Sequence, residues 1–225
     1  MKSLLLAATA LTAFTVSAFA ADLPARKQAP VFPAAPIFTW GGFYIGADVG
    51  GAWGRERDTL HIIEADSFPV SGAIGGLHAG YNWQMNQIVV GAEADVDASN
   101  VTGKAAAVGL PPGSFLSLKN NWRASLRLRA GYAIDTTLLY VTGGAAFAGV
   151  KSNLVVNVDP SWSHTLGGWT IGAGVEHAFT ANWIGRVEAR YSDFGQANNK
   201  ATPPFDAFKV GLRDVQVLAG VSYKF

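Results

Sequence analysis

From about Gly42 onward, apolar and polar residues alternate with a period of two, the spacing that sends successive side chains to opposite faces of a β-strand. The pattern is clearest at the carboxyl end. There Val215, Val217, Ala219, Val221, Tyr223 and Phe225 share one face, and Gln216, Gly220, Ser222 and Lys224 share the other, with Leu218 its apolar exception. Earlier stretches repeat it. About Gly42 to Gly54 sets Phe43, Ile45, Ala47, Val49 and Trp53 against Tyr44, Gly46, Asp48 and Gly50. About Ala73 to Gln84 sets Leu77, Ala79, Tyr81 and Trp83 against His78, Gly80, Asn82 and Gln84. Ile88 to Ala98 alternates Ile88, Val90, Ala92, Ala94, Val96 and Ala98 with a face carrying Glu93, Asp95 and Asp97. Leu138 to about Val150 is weaker, with Leu139, Val141, Ala145 and Phe147 on the apolar face. Trp169 to Phe179 places Thr170, Gly172, Gly174 and Glu176 on its polar face, and Arg186, Glu188 and Arg190 alternate with Val187, Ala189 and Tyr191.

The stretch from Trp122 to Tyr132 decides which face is which. Arg123, Arg127 and Arg129 alternate with Trp122, Ala124, Leu126, Leu128 and Ala130. If the apolar face meets lipid, a register that exposed these arginines would cost about 2–4 kcal/mol each at mid-bilayer, so they point inward. Connections alternate short and long. Met85 to Gln87, Asp135 to Thr137 and Thr180 to Asn182 are the short turns. The long loops are Arg55 to Ser71, Asn100 to Leu118, Lys151 to Thr165 and Gly195 to Ala207. This predicts an all-β fold, an eight-stranded antiparallel up-and-down transmembrane β-barrel. Aromatic residues gather at strand ends, with Trp53, Trp122, Trp169 and Tyr191 at the outer interface. Phe43, Trp83, Tyr132, Trp183, Tyr223 and Phe225 lie at the inner one.

Composition adds an address. Lys2 followed by the apolar run Leu4 to Phe19 and by Ala18-Phe19-Ala20 predicts a secretory signal peptide over residues 1–20. Residues 21–39, with Pro24, Pro30, Pro33 and Pro36, predict a periplasmic lead, and residues 40–225 the barrel. Although 49% of the chain is hydrophobic, no second long apolar run occurs, as alternation between lipid and lumen requires. With no cysteine there is neither a disulfide scaffold nor thiol chemistry, and the net charge of +1 gives no reason to expect nucleic acid.

A series of short motifs runs the length of the predicted barrel: Trp40-Gly41-Gly42-Phe43-Tyr44-Ile45-Gly46, Gly80-Tyr81-Asn82-Trp83-Gln84 and Gly91-Ala92-Glu93-Ala94-Asp95. Arg127-Leu128-Arg129-Ala130-Gly131-Tyr132 and Glu188-Ala189-Arg190-Tyr191-Ser192-Asp193-Phe194-Gly195 follow. In this order and spacing the chain resembles the alphaproteobacterial outer-membrane β-barrel proteins. That group, often labelled porins, includes major surface proteins of Brucella and rhizobia and hemin-binding proteins of Bartonella. It is also similar to the transmembrane part of OmpA. The resemblance implies residence in the outer membrane of a Gram-negative bacterium and contact with its lipids. It further implies that the terminal Gly220, Tyr223 and Phe225 match the signal read by the barrel-assembly machinery, with Leu218 a departure from the usual polar residue.

The candidate chemistry is the inward charge set: Asp48, Glu93, Asp95, Asp97, Glu176 and Glu188 with Arg123, Arg127, Arg129, Arg186 and Arg190. An eight-stranded ring has an interior barely wide enough for its own side chains, so these residues are expected to fill it as ion pairs. Turn counting puts Glu176 opposite Arg186, and the longer connection suggests Asp97 opposite Arg123 and Glu93 opposite Arg127. His61, His78, His164 and His177 are scattered, with no Gly-x-Ser-x-Gly elbow and no ligand spacing, so neither an enzyme nor a metal or cofactor site is expected. The expected role is structural, an envelope protein with a closed lumen. One alternative is a narrow channel for small solutes. Another, implied by the resemblance, is hemin or host-surface binding through Arg55 to Ser71 and Lys151 to Thr165, with His61 or His164 as a hemin ligand.

Overall fold

The structure is a computed structural model that describes residues 38–58, 67–106, 111–155, 161–199 and 208–225. The expected signal peptide, nearly all of the proline-rich lead and His61 lie outside the described residues. The described strands are β1 (Gly42–Asp58), β2 (Ser67–Met85), β3 (Ile88–Ser99), β4 (Thr102–Ala106), β5 (Phe115–Ile134), β6 (Thr137–Val155), β7 (Ser161–Ala178), β8 (Trp183–Asn199) and β9 (Phe208–Lys224).

Every pairing is antiparallel, and β1 bonds to both β2 and β9, so the strands form a ring without a free edge. The nine segments occupy eight positions. β4 continues β3 after a break at Asn100 and Val101, pairing with the same neighbours through Ser71↔Thr102 and Thr102↔Lys119. Asn100 holds the break closed. Its N–H donates to the Ala73 carbonyl at 3.1 Å, and its side-chain oxygen accepts from the Ala73 N–H at 2.7 Å. Two of the tight turns pivot on Asn86 (φ 55°) and Asp135 (φ 51°), residue types that tolerate the left-handed region.

The inward and outward faces follow the alternation. On β5, Leu128 is 72% exposed and its neighbour Arg127 is 1% exposed. Along β1 the outward series from Phe43 to Trp53 rises about 33 Å along the strand, or about 25 Å along the axis at a tilt of about 40°. That is the height of an outer-membrane hydrocarbon band. The aromatic residues named above stand outward at its two edges, with Phe43 against Phe225 at 5.8 Å and Trp183 against Tyr223 at 5.3 Å between ring centres.

The strands run well past the lengths read from the sequence. The stretches expected as loops contain the end of β1 to Asp58, the start of β2 at Ser67, all of β4, and the start of β5 at Phe115. They also hold the end of β6 at Val155, the start of β7 at Ser161 and the end of β8 at Asn199. Above the hydrocarbon band the outward face meets water, and on β2 and β5 the hydrophobic side changes from outside to inside. Phe68, Val70 and Ile74 on β2 are buried, whereas Leu77 below them is exposed. On β5 the change is made by a bulge between Asn120 and Trp122, which shifts inward positions from Leu116, Leu118 and Asn120 to Arg123, Ser125 and Arg127.

Candidate functional site

The lumen is built in three layers. Near the short turns, Trp40, Val89, Ala133, Leu138, Tyr140, Ala178 and Ile184 form an apolar cluster, with Phe38 packed against it. Trp40 precedes β1 and is fully buried in this mouth. Its backbone N–H donates to Gln84 Oε1 at 2.6 Å, and its indole N–H reaches the Asp135 carbonyl at 3.3 Å. Toward the outer end a larger cluster joins Ala52, Phe68, Val70, Ile74, Val101, Leu116, Leu118, Ala146, Ala148, Val150, Leu166, Phe194, Leu212 and Leu218.

Between the clusters lies the charge set. Arg127 sits at its centre, donating to Glu93 and Glu188 through short contacts, to Asp95 at 2.9 Å and to Thr142 at 3.2 Å. Arg186 forms a fork on Asp48, with Nε and Nη2 each 2.9 Å from a carboxylate oxygen, and places Nη1 2.8 Å from Glu93. Arg190 bridges Glu188 at 2.9 Å and Asp95 at 3.1 Å. Arg129 lies over the Tyr140 ring at 4.2 Å from its centre, contacts Glu176 at 2.8 Å and donates to the Tyr44 hydroxyl at 2.8 Å. Tyr44 and Tyr140 donate in turn to Glu93 at 2.7 Å and Glu188 at 2.8 Å. Glycines on facing strands leave room for these groups. A Cβ on Gly174 would stand 2.6 Å from the Tyr140 hydroxyl, and one on Gly220 would meet the Asp48 carboxylate.

The expected registers Glu176↔Arg186, Asp97↔Arg123 and Glu93↔Arg127 all occur. Register neighbours are nevertheless not always ion-pair partners. Glu176 pairs with Arg129, and Arg123 pairs with Asp214 at 2.7 Å. A guanidinium on a long stem reaches across a narrow interior as easily as it reaches the next strand. The sequence pattern puts Tyr44 on the inward face of β1 without a role and gives Asp214 and Tyr140 no place in the charge set. Trp40 was read there only as part of a motif, because one residue ahead of a strand carries no periodicity.

His78 is a further addition. Its Nδ1 lies 2.7 Å from Asp48 Oδ2 and its Nε2 2.7 Å from Ser222 Oγ, an acid, imidazole and hydroxyl in line. The order is that of a nucleophile, base and orienting acid. Here, however, Ser222 is buried and Asp48 is also held by Arg186. His164, expected in a loop, belongs to β7, half-buried and opposite Val150. The cavity lined by Asp95, Asp97, Arg123, Ser125, Arg190 and Gln216 measures about 10 Å³, room for about one water molecule.

The profile of the outer membrane protein beta-barrel domain matches residues 6–225. The chain belongs to that family. A 31 kDa outer-membrane immunogenic protein of Brucella melitensis is 37% identical over 243 residues, covering 100% of both chains. A 22 kDa outer membrane protein of Rhizobium leguminosarum is 34% identical, covering 88% of this chain and 83% of its own. Among solved structures, OprG of Pseudomonas aeruginosa superimposes with a TM-score of 0.58 at 14% identity, over 85% of this chain and 99% of OprG, and so shares the fold. This member of the outer-membrane β-barrel family therefore resides in the outer membrane, and its apolar exterior is its lipid-facing wall.

Proposed function

We propose that the chain is a closed structural barrel that stabilises the outer membrane and presents its outer strand ends at the cell surface. The single observation that supports this most directly is the filled lumen: an ion-paired layer with Arg127 at its centre, between two apolar clusters. A path for solute would have to break both clusters and the charge layer. Surface presentation fits the naming of Brucella relatives as immunogenic outer-membrane proteins. The Asp48–His78–Ser222 line is read as part of the packing rather than as a catalytic site, since its hydroxyl is buried and its acid is shared with Arg186.

The test is single-channel conductance of the refolded protein in a planar bilayer, with insertion verified by protease protection. Silence is expected. Reproducible conductance steps from inserted wild-type protein would replace this reading with that of a narrow channel. Gly220, Tyr223 and Phe225 are assigned to recognition by the assembly machinery. Removing Phe225 is accordingly expected to lower assembly in cells more than refolding in detergent, and equal losses in both would make its role purely structural.

A further inference from the structure

The first outward residues above the hydrocarbon band on β1 and β9 are Arg55 and Arg213, and they are directly paired across the two strands. Like charges in that position repel unless an anion lies between or above them. The acid in this row is Asp193, opposite Arg213 on β8 and 2.7 Å from its Nε. One outward position lower stand Trp53, Val215 and Tyr191, the last beside Trp169 at 5.5 Å between ring centres, with the two rings tilted by 52°. Together they border a cleft of about 500 Å³ whose lining includes Trp53, Arg55, Tyr191, Arg213, Val215 and Asp214, the carboxylate of the last being buried against Arg123.

A second depression begins where this one ends. It measures about 370 Å³, shares Tyr191 and Val215 with the cleft, and descends the lipid-facing wall between Val141, Ile171, Ala173 and Ala189. Ala173 and Ala189 are cross-strand neighbours, and their small side chains make the hollow. A basic cleft at headgroup height that opens into an apolar groove at acyl-chain height has the shape and polarity of one lipid molecule. The outer edge is basic elsewhere too, since Lys119 and Lys151 also pair directly across β5 and β6.

We infer that β7, β8, β9 and β1 form a binding site for a phosphorylated lipid of the outer leaflet. Its phosphate ester is held by the Arg55 and Arg213 guanidiniums, and one acyl chain lies in the groove over Ala173 and Ala189. Guanidinium forks suit phosphate because they donate two parallel hydrogen bonds to its oxygens, and Trp53 and Tyr191 occupy the interfacial depth at which the glycerol or sugar backbone would sit. The inference rests on the outward wall alone and is independent of whether the lumen conducts.

The experiment is native mass spectrometry of the refolded full chain in a non-ionic maltoside detergent, titrated with dioleoyl phosphatidic acid. Dioleoylglycerol and inorganic phosphate serve as separate probes. Phosphatidic acid is expected to bind one-to-one and at least about tenfold more tightly than dioleoylglycerol. The Arg55→Gln/Arg213→Gln variant should lose that preference. Ala189→Phe, which fills the groove, should weaken binding with both arginines intact, and Asp193→Asn, which releases Arg213, should tighten it. Heat-dependent gel mobility verifies that each variant is folded. An unchanged affinity in the double arginine variant would overturn the site. Displacement of the lipid by inorganic phosphate at equal concentration would reduce it to a free-anion site and overturn the assignment to lipid.

Discussion

Replacing Arg127 by alanine tests the lumen most directly. The guanidinium touches Glu93, Glu188, Asp95 and Thr142, and its removal strands carboxylates in an interior that water scarcely enters. Breaking a buried pair by deleting one partner costs about 3–5 kcal/mol. Glu93 keeps Arg186, and Glu188 and Asp95 keep Arg190, so the lower end, about 3 kcal/mol, is the expected loss. The deleted side chain leaves space for about three or four waters at about 30 Å³ each, which softens the penalty without opening a path, because both apolar clusters stay in place. Urea unfolding in lipid vesicles measures the loss, and the same sample in a planar bilayer should remain silent. Adding Glu188→Gln to Arg127→Ala removes one carboxylate from a layer left with excess negative charge and should recover about 1–2 kcal/mol. A loss below about 1 kcal/mol for Arg127→Ala would refute the claim that this residue organises the interior, the scale being that of an exposed pair.

Trp40→Ala should cost about 3–5 kcal/mol in the same unfolding assay, as for other fully buried aromatics, and a near-neutral result would remove Trp40 as the plug of the lower mouth. Leu128→Arg places a charge at the middle of the lipid-facing wall and should cost about 2–4 kcal/mol in vesicles. A stability equal to wild type would mean that this face does not meet hydrocarbon. Gly220→Ala pushes a methyl group into the Asp48 carboxylate and should destabilise the purified barrel by about 1–3 kcal/mol without any assembly factor present. A defect seen only in cells would assign Gly220 to recognition instead.

The membrane-embedded part of this fold was legible because lipid imposes a strict code. Arg123, Arg127 and Arg129 alternating with Leu126 and Leu128 admit one orientation, and one strand oriented fixes its neighbours through short turns such as Met85 to Gln87. The outer ends were illegible for the same reason. In water the code reverses, so Phe68 and Val70 turn inward, and a reading tuned to lipid-facing hydrophobics took the segment as a loop. On β5 the apolar alternation runs on through Asn120 at even-numbered positions, and the bulge turns those positions from inward to outward, a change of face that no sequence pattern displays. The alternation of charged with apolar residues announced the charged interior, and turn counting its registers. The actual partners depended on how far each guanidinium reaches, which is why Asp214 and the line through His78 emerged only in three dimensions.

The reversal on the strands also works as a depth gauge. Where Leu77 gives way to Ile74 on β2, and Trp122 to Leu118 on β5, the wall stops favouring hydrocarbon and starts favouring water. Sinking would carry Arg55, Lys119, Lys151 and Arg213 into oil, and rising would lift Trp53 and Val215 out of it. The barrel therefore carries its own waterline. Because the upper cluster extends past that line through Phe68, Leu116 and Leu212 on its own apolar contacts, the surface-exposed tips can change in sequence without altering how deep the molecule floats.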